Sequence, residues 1–157
     1  MKLDKLARKY RKDLEFRLYG KGIVFEHIED CKKVAVLKKD WLAHFATGIN
    51  KHDIGANQFM WHVFSYGKIP CLEGNEATTH FHLQNKTKCY ILFQHHDDAY
   101  YLENATDLTQ NDLIDGIDFD SSDLYVVSKK FNWTYVITHE SSCGPYYYHK
   151  NEDQSIS

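Results

Sequence analysis

The sequence predicts an α+β fold: an antiparallel sheet, mostly from the C-terminal half, with helices packed on one face. Helical spacing dominates the first half of the chain, and short β-branched or aromatic runs dominate the second. Aromatic content is high, at 15%, with 11 Tyr and 9 Phe, which suits a pleated surface. Strands and helices do not alternate regularly, as a doubly wound sheet would require.

Taken in order, residues 3–18 read as a helix. Leu3, Leu6, Tyr10, Leu14 and Leu18 recur at helical spacing, and Gly20 and Gly22 end the run. Residues 23–28 and 33–37 are short and β-branched enough for strands. Asp40 is a candidate cap for a second helix with Trp41, Leu42, Phe45 and Ile49 on one face. Residues 50–58 fit helix or loop, and residues 59–64 fit helix or strand, because period does not decide runs this short. Pro70 marks a loop, and a third helix is expected over 75–85. Strands 88–94 and 99–103 flank a turn at residues 94–98, and 108–114 forms a short helical turn. A second hairpin joins 124–128 to 133–138 around residues 129–132, with 146–148 as an edge strand. Residues 1–150 are expected to form a single α+β domain, with 151–157 a frayed polar tail.

At 157 residues the chain buries enough surface to fold without a disulfide or metal staple. Cys31, Cys71, Cys89 and Cys143 form no Cys-x-x-Cys pair, and the N-terminus lacks the apolar segment of a signal peptide. No run approaches the roughly 18 apolar residues of a membrane span. The expected setting is a reducing cytoplasm, with no membrane partner. The net charge of −3 is unevenly placed. Residues 1–21 hold eight Lys/Arg against three acids, and residues 41–157 hold seven against fifteen. An acidic body disfavours nucleic acid and favours a basic protein partner.

Ten histidines raise the question of metal. His80 and His82 would share a face on a strand, but on the expected helix they point apart. His95-His96-Asp97-Asp98 fits either a metal site or a polar turn, and turns favour Asp for its local backbone bonds. Residues 115–123 look like a calcium loop, yet counted from Asp118 position 6 is Asp123 and position 12 is Lys129, where that geometry needs Gly and Glu. No metal and no other cofactor is therefore expected. The acidic residues Asp115, Asp118, Asp120 and Asp123 are read instead as a patch for a cationic partner.

For catalysis, Cys71 or Cys143 would need His62 or His139 close by to make a thiolate. His139-Glu140 follows an apolar strand, where a loop is held rigidly, so Glu140 can act as a base and His139 as its partner. With His62 and Glu73 these form the candidate site. The plainer reading is that His139 bonds a loop carbonyl and Glu140 faces solvent. No Walker loop, Gly-x-Gly-x-x-Gly, Gly-x-Ser-x-Gly or kinase signature is present.

Several motifs occur in order: Trp61-His62-Val63-Phe64-Ser65-Tyr66, Cys71-Leu72-Glu73-Gly74 with Glu76-Ala77, Cys89-Tyr90-Ile91-Leu92-Phe93-Gln94-His95, Trp133-Thr134-Tyr135-Val136 with Thr138-His139-Glu140, and Gly144-Pro145-Tyr146. Over residues 33–148 the chain resembles a family of uncharacterised proteins from bacilli and their relatives, classed as a domain of unknown function. The N-terminal helix lies outside that resemblance. The resemblance implies a bacterial, intracellular protein and brings no site residue with it. Three functions follow in order: a non-catalytic protein-binding module of inhibitor or immunity type, a small hydrolase or metal-assisted enzyme using a His/Glu site, and RNA binding through the basic N-terminal helix. Whether the chain is an enzyme is left open, with the balance toward binding.

Overall fold

The computed structural model describes residues 3–46, 59–65, 69–117, 122–140 and 142–150. The elements run α1 (Lys5–Gly20), β1 (Val24–Ile28), α2 (Cys31–Phe45), α3 (His62–Ser65), β2 (Leu72–Glu73), α4 (Gly74–Leu83), β3 (Lys88–Phe93), β4 (Ala99–Glu103), α5 (Gln110–Ile114), β5 (Leu124–Ser128), β6 (Trp133–Ile137) and β7 (Tyr146–His149). Seven strands form one antiparallel sheet in the order β1-β4-β3-β5-β6-β7-β2. The α+β class holds.

The helices cover both faces of the sheet, not one. On one side, Tyr10, Leu14 and Leu18 of α1 and Ala77 and Phe81 of α4 pack on Ile91, Phe93, Tyr100 and Tyr135. On the other, Val34, Leu37, Trp41 and Phe45 of α2 and Phe64 of α3 pack on Leu92, Tyr125, Val127 and Val136. Successive side chains of a strand point to opposite faces, so unbroken apolar runs such as Ile91-Leu92-Phe93 and Tyr125-Val126-Val127 demand two covers.

The run at 33–37, expected as a strand, lies inside α2. Asp30 caps that helix, accepting hydrogen bonds from the backbone N–H of Lys32 and Lys33, ten residues before the cap expected at Asp40. Val34, Leu37 and Trp41 then share the buried face, and Lys32, Lys33 and Lys39 stay outside. Trp41 anchors the layer with its ring 5.1 Å from that of Tyr125, while its indole N–H donates to Thr134 Oγ1 at 2.9 Å. Residues 62–65 are helical, and residues 50–58 and 151–157 lie outside the described residues. β7 is not an edge strand, because the two-residue β2 pairs beyond it.

The α1 stripe differs from the expected one at its start: Leu3 precedes the helix and is half-buried, Leu6 is exposed, and Ala7 and Arg11 join Tyr10, Leu14 and Leu18 on the buried face. Several of the basic residues of α1 turn inward. Arg11 is buried and ion-paired to Asp98. Arg17 donates to the carbonyls of Asp112 and Asp115, and Lys21 reaches the Asp112 carboxylate. The RNA reading is left with the shorter set of exposed cations on α1, including Lys5, Arg8 and Lys12. No helix among the described residues is long and apolar enough to cross a membrane.

Candidate functional site

Antiparallel register decides where the chemistry gathers. β3 ends opposite the start of β5, at the Phe93–Leu124 pair, and the start of β5 lies opposite the end of β6, at the Leu124–Ile137 pair. The residues just beyond these pairs are Gln94-His95, Asp123 and Thr138-His139-Glu140. Three chain segments distant in sequence thus meet at one end of the sheet.

Asp123 is the hub. Its carboxylate is 0% exposed. Oδ1 accepts the backbone N–H of His139 at 2.7 Å, Oδ2 lies 2.8 Å from His139 Nδ1, and Oδ2 also lies 3.0 Å from His95 Nε2. Two imidazoles and a peptide N–H therefore satisfy one buried carboxylate, as a charge in the interior requires. A carboxylate at Nδ1 fixes the proton on that nitrogen and leaves His139 Nε2 as the acceptor. Nε2 lies 3.6 Å from Glu140 Oε1, and the Cys143 thiol donates to Glu140 Oε2 at 3.4 Å.

An aromatic wall backs this group. The Phe59 ring lies 5.3 Å from His139, 5.2 Å from His62 and 5.6 Å from His95. Trp61 is 2% exposed, packs 4.5 Å from His62, and its indole Nε1 is buried without a hydrogen-bond partner among the described residues. Gln94 Oε1 accepts the backbone N–H of Met60 at 2.9 Å and also the Tyr125 hydroxyl, so the segment carrying Trp61 is tied to the end of β3.

Of the four residues expected to form the site, His139 and Glu140 adjoin, and His62 lies across the Phe59 and Trp61 rings from His139. Glu73 stands apart on β2, exposed and opposite Tyr146. Its charge acts on Cys71 instead. Burial first, and Glu73 second, push the Cys71 thiol up to about 12, which removes it as a ready thiolate. Burial does the same to Cys89, also up to about 12. The four-residue acidic patch is not a single surface. Asp115 is exposed, Asp118 and Asp120 lie outside the described residues, and Asp123 is buried under His139 and His95, where it meets no partner protein. The Asp123, His95, Phe59 and Trp61 contributions were missed. The hairpin expected around residues 129–132 already set Asp123 beside Thr138, and that was the available signal.

The remaining histidine clusters disperse. His80 and His82 are exposed on α4. His80 Nδ1 lies 3.0 Å from the Glu76 carbonyl, and His82 Nε2 accepts the Gln110 backbone N–H at the start of α5. His95 joins Asp123, whereas Asp98 joins Arg11 and His27. No group of three or more His, Cys, Asp or Glu among the described residues is placed to hold a metal ion.

The model of a domain of unknown function, DUF4275, matches residues 4–147. The chain belongs to that family. The DUF4275 match begins before α1, so the N-terminal helix is part of the family unit rather than outside it. No curated protein and no solved structure matches the chain. DUF4275 carries no assigned function, so the meaning of the site rests on its geometry.

Proposed function

We propose that this DUF4275 protein is a small acid–base enzyme of hydrolase type, with His139 as the base, Asp123 as its positioning residue and Glu140 as the second titratable group. The observation that supports it is the buried Asp123 carboxylate held at 2.8 Å from His139 Nδ1, which turns Nε2 outward toward Glu140. The wall of Phe59, His62 and Trp61 would receive the apolar part of a substrate. The test has two readings on one sample. Imidazole nitrogen NMR should show His139 as the Nδ1–H tautomer, and a panel of p-nitrophenyl esters and phosphates should contain a substrate whose turnover is lost in His139→Ala. An Nε2–H tautomer in the native protein, or turnover unchanged by the substitution, overturns the assignment.

A second reading is a binding module of inhibitor or immunity type for a basic partner. The exposure of Asp115 within the acidic 115–123 segment favours it. Here the informative variant is Asp115→Lys with Asp118→Lys and Asp120→Lys. Asp123 is left intact because its loss would disturb the fold. The variant should lose a captured basic protein that the native chain retains. Capture that survives all three reversals removes the acidic segment from the account. The bacterial, cytoplasmic setting implied by the motif resemblance is part of both readings. It is supported by four cysteines that form no disulfide.

A further inference from the structure

The opposite end of the β5–β6 hairpin has a different character. A cavity of about 480 Å³ opens there between the end of α4, the start of β3 and the turn after β5. Nine residues line it, among them Lys88, Lys129 and Lys130, and none is acidic. That is a concentrated choice of side chains. Residues 41–157 contain only seven Lys/Arg against fifteen acids, and three of the seven line this one cavity. Lys88 and Lys130 form no ion pair among the described residues, and the Lys129 ammonium rests over the Tyr101 ring at 5.7 Å. The nearest acid by register is Glu103, opposite Lys88, whose carboxylate accepts the Tyr101 hydroxyl at 3.4 Å.

The neutral lining is arranged for the same kind of ligand. The Gln84 amide oxygen accepts the Tyr147 hydroxyl, and the Asn85 amide oxygen accepts the Thr106 hydroxyl at 3.2 Å. With both oxygens occupied, these amides offer the cavity chiefly N–H groups, although the Gln84 amide nitrogen already donates one to the Asn85 carbonyl at 3.4 Å. Lysine and amide side chains lining one concave surface suit an anion with several oxygens. The Trp133 side chain in the wall supplies an aromatic surface beside them. The volume matches a ligand of nucleotide size.

We propose that this cavity binds a small phosphorylated ligand carrying more than one phosphate charge, with Lys88, Lys129 and Lys130 as its cationic contacts. The site is separate from His139, since the two lie at opposite ends of β5 and β6, and it stands whether or not the acid–base reading does. The test is a titration of the whole chain with inorganic pyrophosphate, and with ADP in parallel, followed by backbone amide NMR. Saturable shifts centred on residues 84–88 and 128–133 are expected. Lys129→Gln with Lys130→Gln should weaken binding by about tenfold or more, because two charge-assisted contacts are lost at exposed positions where the fold gives up only the approach of Lys129 to the Tyr101 ring. Thr87→Trp leaves the charge unchanged and fills the cavity, and it should also abolish binding. ADP binding more tightly than pyrophosphate would identify a nucleotide, and equal binding a simpler phosphate compound. Native-like binding by Thr87→Trp would reduce the site to a superficial lysine patch and overturn the proposal. So would shifts that never saturate or that spread equally over α1.

Discussion

Asp98→Ala is expected to lower the unfolding free energy by about 3–5 kcal/mol, read as a fall in the urea midpoint at unchanged slope. Asp98 receives the Arg11 guanidinium through two bonds, Nε to Oδ2 at 3.0 Å and Nη2 to Oδ1 at 2.9 Å. Arg11 is 3% exposed and its guanidinium lies 4.1 Å above the Phe93 ring. Removing the carboxylate therefore leaves a cation in the interior, between α1 and the sheet, without its bidentate acceptor. His27 loses a 2.7 Å partner as well, although Glu15 and Glu29 remain at 3.8 Å. Replacing both members, as Arg11→Met with Asp98→Leu, should recover much of the loss, because no unpaired charge is then left buried. A cost below about 1 kcal/mol for Asp98→Ala would mean that water reaches Arg11 and that the Arg11–Asp98 pair does little to hold α1 on the sheet.

The same residue sets an acid limit. Burial by itself would raise the Asp98 carboxyl. Hydrogen bonds from His27 and Arg11, with the Arg11 charge, outweigh it and hold the carboxyl well below the usual carboxylate range. A depressed folded value stabilises the protein above the unfolded carboxyl value of about 4, and this contribution is lost as pH falls through the folded value. Native protein should therefore lose stability below about pH 4 with a component that Asp98→Ala does not show.

These residues also show what was legible beforehand. The strands at 99–103 and 124–128 fall where the alternation and turn residues placed them, because hairpins are local and their turns carry the information. The segment at 33–37 was misread for an equally physical reason. Lys-Val-Ala-Val-Leu satisfies both periods over five residues, and only the Asp30 cap and the distant Trp41 resolve them. Two-sided burial is written in the apolar runs of β3 and β5, whose successive side chains face opposite sides of the sheet. The pairing of β3 with β5 joins strands that are not consecutive. It carries no local signal, and it is the contact that brings His95 to Asp123. His139 and Glu140 could be named as site residues because they follow a strand. Their hub could not, since Asp123 reads as one more acid in an acidic loop until the register of β5 with both β3 and β6 is known.

Asp123→Asn isolates what that hub does. Oδ1 already accepts the His139 backbone N–H, so the asparagine oxygen must take that place and its NH2 must take the place of Oδ2. The NH2 then faces His139 Nδ1 and His95 Nε2, the two nitrogens 2.8 and 3.0 Å from Oδ2. Nδ1 also lies 2.9 Å from Oδ1, so one acceptor for its proton remains. The carboxylate charge is gone, however, and a donor stands in the place of Oδ2, which shifts His139 toward the Nε2–H tautomer, in which the nitrogen that faces Glu140 no longer accepts a proton. Loss of a positioned base is worth about 10²–10⁴ in turnover, and the loss should fall on kcat and not on KM, because Phe59, His62 and Trp61 are untouched. Stability should fall by only about 1–3 kcal/mol, the cost of one mismatched charged hydrogen bond in a side chain of unchanged shape. The two readouts separate the roles. A variant that folds, shows the switched tautomer by imidazole nitrogen NMR and keeps its turnover would make Asp123 a clamp between two loops and nothing more. A switched tautomer with lost turnover would make the clamp the means by which His139 is aimed.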